Sequence, residues 1–91
     1  MKRIWKYTFD TNQTNRTWDI PRGALILHVR EQHGFPCIWM LVETDCETEQ
    51  RTFAMTGTGT HIEFDTSKAV YLGTAFMHNG MFVFHIFEVI N

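Results

Sequence analysis

Apolar and polar residues alternate with a period of two over much of the chain, which predicts strands rather than helices. From Arg3 to Phe9, Trp5, Tyr7 and Phe9 share one face while Lys6 and Thr8 take the other. Asp10 to Asn15 is polar and reads as a loop. Arg16 to Ile20 is a second short strand, ended by Pro21, Arg22 and Gly23. Ala24 to Arg30 is a third, with Leu25, Leu27 and Val29 expected on one face and Ile26, His28 and Arg30 on the other. After a turn at Gln32 to Gly34, Cys37 to Glu43 is apolar on both faces, as a central or partner-covered strand is. An acidic turn, Thr44 to Glu49, leads into a strand from Arg51 to Met55. Ala69 to Met77 is a strand in which Gly73 marks a bulge. His78, Asn79 and Gly80 predict a two-residue hairpin turn at Asn-Gly. Met81 to Ile90 closes the chain as a strand apolar on both faces.

These elements predict an all-β fold, a small antiparallel sandwich or barrel of about six to seven strands. At most one short helical turn is expected, near residues 64–70, where Asp65, Thr66 and Ser67 can each act as an N-cap. The 91 residues contain no domain linker and fit a single domain over 1–91. Two strands with apolar outer faces exceed what so small a core covers. A homo-oligomer is therefore expected, most simply a two-fold dimer.

Composition narrows the partners. Aromatic residues make up 14% of the chain and the formal net charge is −2. The aromatic share argues against disorder, and the missing basic excess argues against a duplex nucleic-acid partner. No apolar run approaches the ~20 residues of a membrane helix, so no membrane partner is expected. No secretion signal is evident, which points to the cytosol and to free thiols at Cys37 and Cys46. Cys37 reads as a core residue, and Cys46 lies among acidic residues that disfavour a thiolate.

One stretch has the composition of a site. Thr56, Gly57, Thr58, Gly59, Thr60 and His61 combine backbone freedom, three hydroxyls and a titratable ring. Exposed N–H groups in such a loop suit phosphate or carboxylate oxygens. A mobile turn with no ligand is the alternative reading. The loop has no Gly-Lys-Ser/Thr ending and no Gly-x-Gly-x-x-Gly spacing. The five histidines show no zinc spacing, so neither a metal nor a cofactor is expected. No nucleophile sits on a Gly-x-Ser-x-Gly turn, and the chain is read as a non-enzyme. Arg22, in a Pro-Gly bend, and Arg30, beside His28, can add positive charge to a phosphate site. Trp5 and Trp39 can stack on a base, although tryptophan in so small a chain is first a core residue.

Six segments carry a family resemblance: Met1 to Tyr7, Ile20 to Leu27, Phe35 to Val42, Phe53 to His61, Tyr71 to Thr74, and Phe84 to Glu88. Together they span nearly the whole chain, which resembles an uncharacterised family of short phage and bacterial proteins. The chain departs from that pattern at Thr60, inserted before His61 in the loop. The resemblance implies no activity. It implies a small, phage-associated protein working in the host cytosol, and size and context offer an analogy to sponges that sequester nucleotide immune signals. The expected function is sequestration of a small anionic ligand, of cyclic or ADP-ribose nucleotide type, near the Thr-Gly loop at an oligomer interface. The alternative is an inhibitor docking on a host or phage protein through its apolar strand faces.

Overall fold

The computed structural model describes residues 1–10 and 14–90. Its elements run β1 (Lys2–Thr8), β2 (Asn15–Pro21), β3 (Leu25–Gln32), β4 (Phe35–Glu43), β5 (Thr48–Gly57), a 3-10 turn (Thr66–Lys68), β6 (Ala69–Met77) and β7 (Phe82–Val89). The fold is all-β, with the single helical turn where the sequence placed it. The predicted loop at 10–15 falls partly on residues 11–13, outside the described residues.

The strands form two antiparallel sheets, ordered β1-β4-β3 and β2-β5-β7-β6. They stack as a sandwich. Alternation explains the core: Ile38, Met40 and Val42 of β4 turn inward and are fully buried, as are Phe9, Ile20, Phe53 and Ile86. Each such side chain contributes roughly 1.5–3 kcal/mol through burial. Trp18 closes one side, its ring 5.4 Å from Tyr7, 5.2 Å from Phe9 and 5.3 Å from Phe53.

Three local expectations change. In β3 the register slips between Ile26 and His28. This bulge at Leu27 reverses the inward parity, so Ile26 and Val29 pack on the core while Leu25 and Leu27 are exposed. β5 begins at Thr48, because Thr48 and Glu49 pair with Pro21 and Ile20 of β2. It also runs on through Thr56 and Gly57, which are strand residues rather than loop. The β6–β7 hairpin has a four-residue connection, with His78, Asn79 and Gly80 all at positive φ. The two-residue hairpin lies instead at His33 and Gly34, both at positive φ, between paired Gln32 and Phe35.

The Tyr7 hydroxyl is buried and has no hydrogen-bond partner among the described residues. Burial pushes its pKa above the ordinary 10.0, while the Arg51 charge pulls the other way. A pKa raised in the folded state leaves stability intact below pH 10.0 and erodes it as pH rises beyond, because the unfolded chain ionises first. Tyr7→Phe removes the orphan group. It is expected to hold stability at neutral pH or raise it by about 1 kcal/mol, and to soften the loss above pH 10. Urea melts at pH 7 and pH 11 check this. A loss above 1 kcal/mol at pH 7 would show that the hydroxyl has a partner after all.

Candidate functional site

Six of the ten residues singled out by the sequence fall into two clefts, one on each sheet. The first cleft, about 420 Å³, lies where the Thr-Gly loop leaves β5 and meets the start of β2. Thr56, Gly57, Thr60 and His61 line it, joined by Asn15, Glu63 and Phe64. A tight turn builds the loop. The Thr60 N–H donates to the Gly57 carbonyl at 3.1 Å, with Gly59 at φ 82 in between. That conformation suits glycine. Thr60 then folds back so closely that a Cβ at Gly57 would stand 3.1 Å from its hydroxyl oxygen.

The turn consumes donors. The Thr58 N–H donates to the Val83 carbonyl and the Thr60 N–H to Gly57, so neither is free to hold an anion. The Thr58 side chain points elsewhere, 2.7 Å from Nε2 of His85. His85 Nδ1 lies 3.1 Å from the Thr74 hydroxyl, which in turn bonds the Tyr71 hydroxyl. This chain stiffens the outer face of the four-stranded sheet. The Thr58 end is exposed and lines none of the clefts described here. Glu63 is the carboxylate of the first cleft, and no Lys or Arg lines it. Thr56 contributes a buried hydroxyl without a hydrogen-bond partner among the described residues.

The second cleft, about 620 Å³, lies on the outer face of the three-stranded sheet. His28, Arg30, Gln32, His33 and Trp39 line it, with Glu31 also present. Strand register explains the grouping. Trp39 pairs with Lys6 on one side and His28 on the other, and Arg30 pairs with Cys37 one row along. The β3 bulge leaves His28 and Arg30 on one outward face, as the sequence predicted. The His28 and Trp39 ring centroids are 6.1 Å apart. Lys6 donates to Gln32 Oε1 at 2.6 Å, across β4. Arg30 makes no ion pair among the described residues, in contrast to Arg16, Arg22 and Arg51.

Four predicted residues join neither cleft: Thr58 and Gly59 of the turn, Arg22 and Trp5. Arg22 pairs with Glu47 at 3.1 Å where β2 ends. Trp5 lies on edge strand β1 opposite Met40, on the core-facing side and 41% exposed. The ten candidates therefore do not converge on one site within a single chain. Asn15, Glu63, Phe64 and Lys6 were not anticipated as site residues. Lys6 was legible from the alternation of β1, whereas the others depend on a loop folding back on its own sheet. Among the described residues no group of three or more His, Cys, Asp or Glu is placed to hold a metal ion, and no helix is long and apolar enough to cross a membrane.

Fold and clefts define a small seven-stranded antiparallel β-sandwich with a polar cleft on each sheet. Its sequence matches the model of a domain of unknown function, DUF7352, over residues 1–91, and the chain belongs to that family. No curated protein and no solved structure matches it.

Proposed function

We propose that the protein is a non-enzymatic binding module that sequesters a small anionic ligand with an aromatic part, of the nucleotide kind. The carrying observation is the half-buried Trp39 indole, flanked by Lys6 and His28, with Arg30 free of any ion pair among the described residues. A guanidinium without a carboxylate partner is ready for bidentate phosphate contact. An indole beside it offers a face on which a base stacks, worth about 1–3 kcal/mol. Placing this ligand at Arg30 and Trp39 moves the anion site off the Thr-Gly loop, whose N–H groups at Thr58 and Thr60 are already bonded and whose cleft carries Glu63.

Thermal melting against cyclic dinucleotides, cyclic trinucleotides and ADP-ribose tests this. A ligand at 100 times its Kd adds about 2.7 kcal/mol, on the order of 10 °C for a domain of this size. Arg30→Ala and Trp39→Ala are each expected to cut affinity about tenfold or more, consistent with ~1.4 kcal/mol per tenfold. The absence of a shift with every nucleotide would sink the proposal.

A second reading, docking of this same face on another protein, is favoured by the exposed Ile4 and Leu25, which flank Leu41 in the adjacent row. Its first candidate is a second copy of the chain. Sedimentation separates the two cases: a dimer that hides Ile4 and Leu25 supports self-association, and a monomer at high concentration excludes it.

A further inference from the structure

The first cleft has a different chemistry from the second. It has a carboxylate, Glu63, and among the described residues no Lys or Arg lines it, so it disfavours phosphate. Its other polar side chains, Thr14, Asn15, Thr56, Thr60 and His61, can both donate and accept hydrogen bonds. Phe64 adds an aromatic wall, held in place by Phe87 at a centroid distance of 5.3 Å. The Thr56 hydroxyl is the telling group. Thr56 lines this polar cleft at 9% exposed, and its buried oxygen has no hydrogen-bond partner among the described residues. Leaving a buried hydroxyl unpaired costs about 1–3 kcal/mol. A ligand that enters the cleft and bonds this group recovers that cost.

We propose that this cleft is a binding site for a neutral vicinal diol, as found on a sugar ring. Neighbouring hydroxyls of a diol can both donate to the two oxygens of Glu63. A third hydroxyl meets Thr56, and Asn15 supplies either donor or acceptor. The apolar C–H face of the ring packs on Phe64. A volume of 420 Å³ lies within the roughly 300–1,000 Å³ of small-molecule sites and holds one or two sugar rings. The site is independent of the proposed anion site at Arg30 and Trp39.

The diol can belong to a free sugar or to the ribose of a nucleoside, and the experiment separates these sources. The full chain carrying Arg30→Ala, which silences the other cleft, is titrated with a panel of neutral mono- and disaccharides, with adenosine and with 2′-deoxyadenosine. Melting temperature and calorimetry are the readouts. Binding of a saccharide alone assigns a carbohydrate, and binding of adenosine with loss for 2′-deoxyadenosine assigns a ribose. Thr56→Val keeps the shape and removes the hydroxyl. The free variant is expected to melt at the same temperature or higher, while affinity falls at least tenfold. Glu63→Gln, at an exposed position, is expected to weaken binding by a similar factor without affecting folding. No binding across the panel at 10 mM ligand overturns the proposal. So does equal affinity for adenosine and 2′-deoxyadenosine without saccharide binding, or undiminished affinity in Thr56→Val.

Discussion

Replacing Glu88 by Ala is expected to lower the unfolding free energy by about 3–5 kcal/mol, the cost of stranding a buried charge. Glu88 and Arg51 meet between the sheets at 2.6 and 2.7 Å in a bidentate pair, with side chains only 11% and 16% exposed. The remaining Arg51 donor, Nη1, reaches the Ala24 carbonyl of the other sheet's entry segment at 2.7 Å. The pair therefore ties the two sheets at one end of the sandwich. Glu88 raises the Arg51 pKa against the opposing effect of burial, and a guanidinium stays charged even when that partner is removed. Glu88→Gln keeps the shape and some hydrogen bonding, and is expected to lose less than Glu88→Ala. Arg51→Met combined with Glu88→Leu is expected to recover much of the loss, because an apolar pair needs no charge solvation. Urea unfolding of the four proteins checks this. For a domain of this size 3 kcal/mol corresponds to more than about 10 °C in Tm. A Glu88→Ala loss below about 1 kcal/mol would place the pair in the solvated class.

Much of this architecture was legible in the alternation of single strands. The faces of β1 and β4 follow directly from their sequences, and the bulge at Gly73 appears where the register shifts between Tyr71 and Gly73. The buried ion pair was not read from the sequence, although Arg51 shares its parity with Phe53 and Met55, and Glu88 with Ile86 and Phe84. What parity could not supply was partnership across 37 residues of chain. The same gap hid the strand order: β1 pairs with β4, and β2 crosses to the other sheet to pair with β5. Such choices are set by non-local packing rather than local propensity. The β3 bulge had no glycine to announce it, since Leu27 occupies the extra position.

The candidate sites follow the same division. His28 and Arg30 shared a predicted face, and β4 brought Trp39 between them and Lys6. The Thr-Gly loop was conspicuous in composition. However, its turn uses the Thr58 and Thr60 N–H groups, and the residues that give its cleft a different character, Glu63 and Phe64, arrive only through tertiary folding.

Gly73→Val is expected to cost about 3 kcal/mol, the upper end of the usual range for overpacking. The reason is close approach rather than backbone conformation. A Cβ at position 73 would stand 2.9 Å from Val29 Cβ and 3.3 Å from Val29 Cγ2. Here β6 and β3 come together at the corner of the sandwich, so a larger residue must push the sheets apart. Gly73→Ala is expected to cost less, about 1–2 kcal/mol, because it adds the Cβ with these contacts but not the two γ-methyls that valine carries beyond it. Val29→Ala removes both γ-methyls but keeps Cβ. The double variant with Gly73→Val should therefore recover part of the loss and show a favourable coupling, which a double-mutant cycle in urea reads directly. Val29 also sits between His28 and Arg30 on β3, so a displaced corner moves the second cleft. Gly73→Val is expected to weaken nucleotide-type binding there while leaving diol binding near Thr56 much less affected. A neutral Gly73→Ala would mean that β3 and β6 are not held this close. An additive cycle would mean that Val29 is not what the new side chain meets.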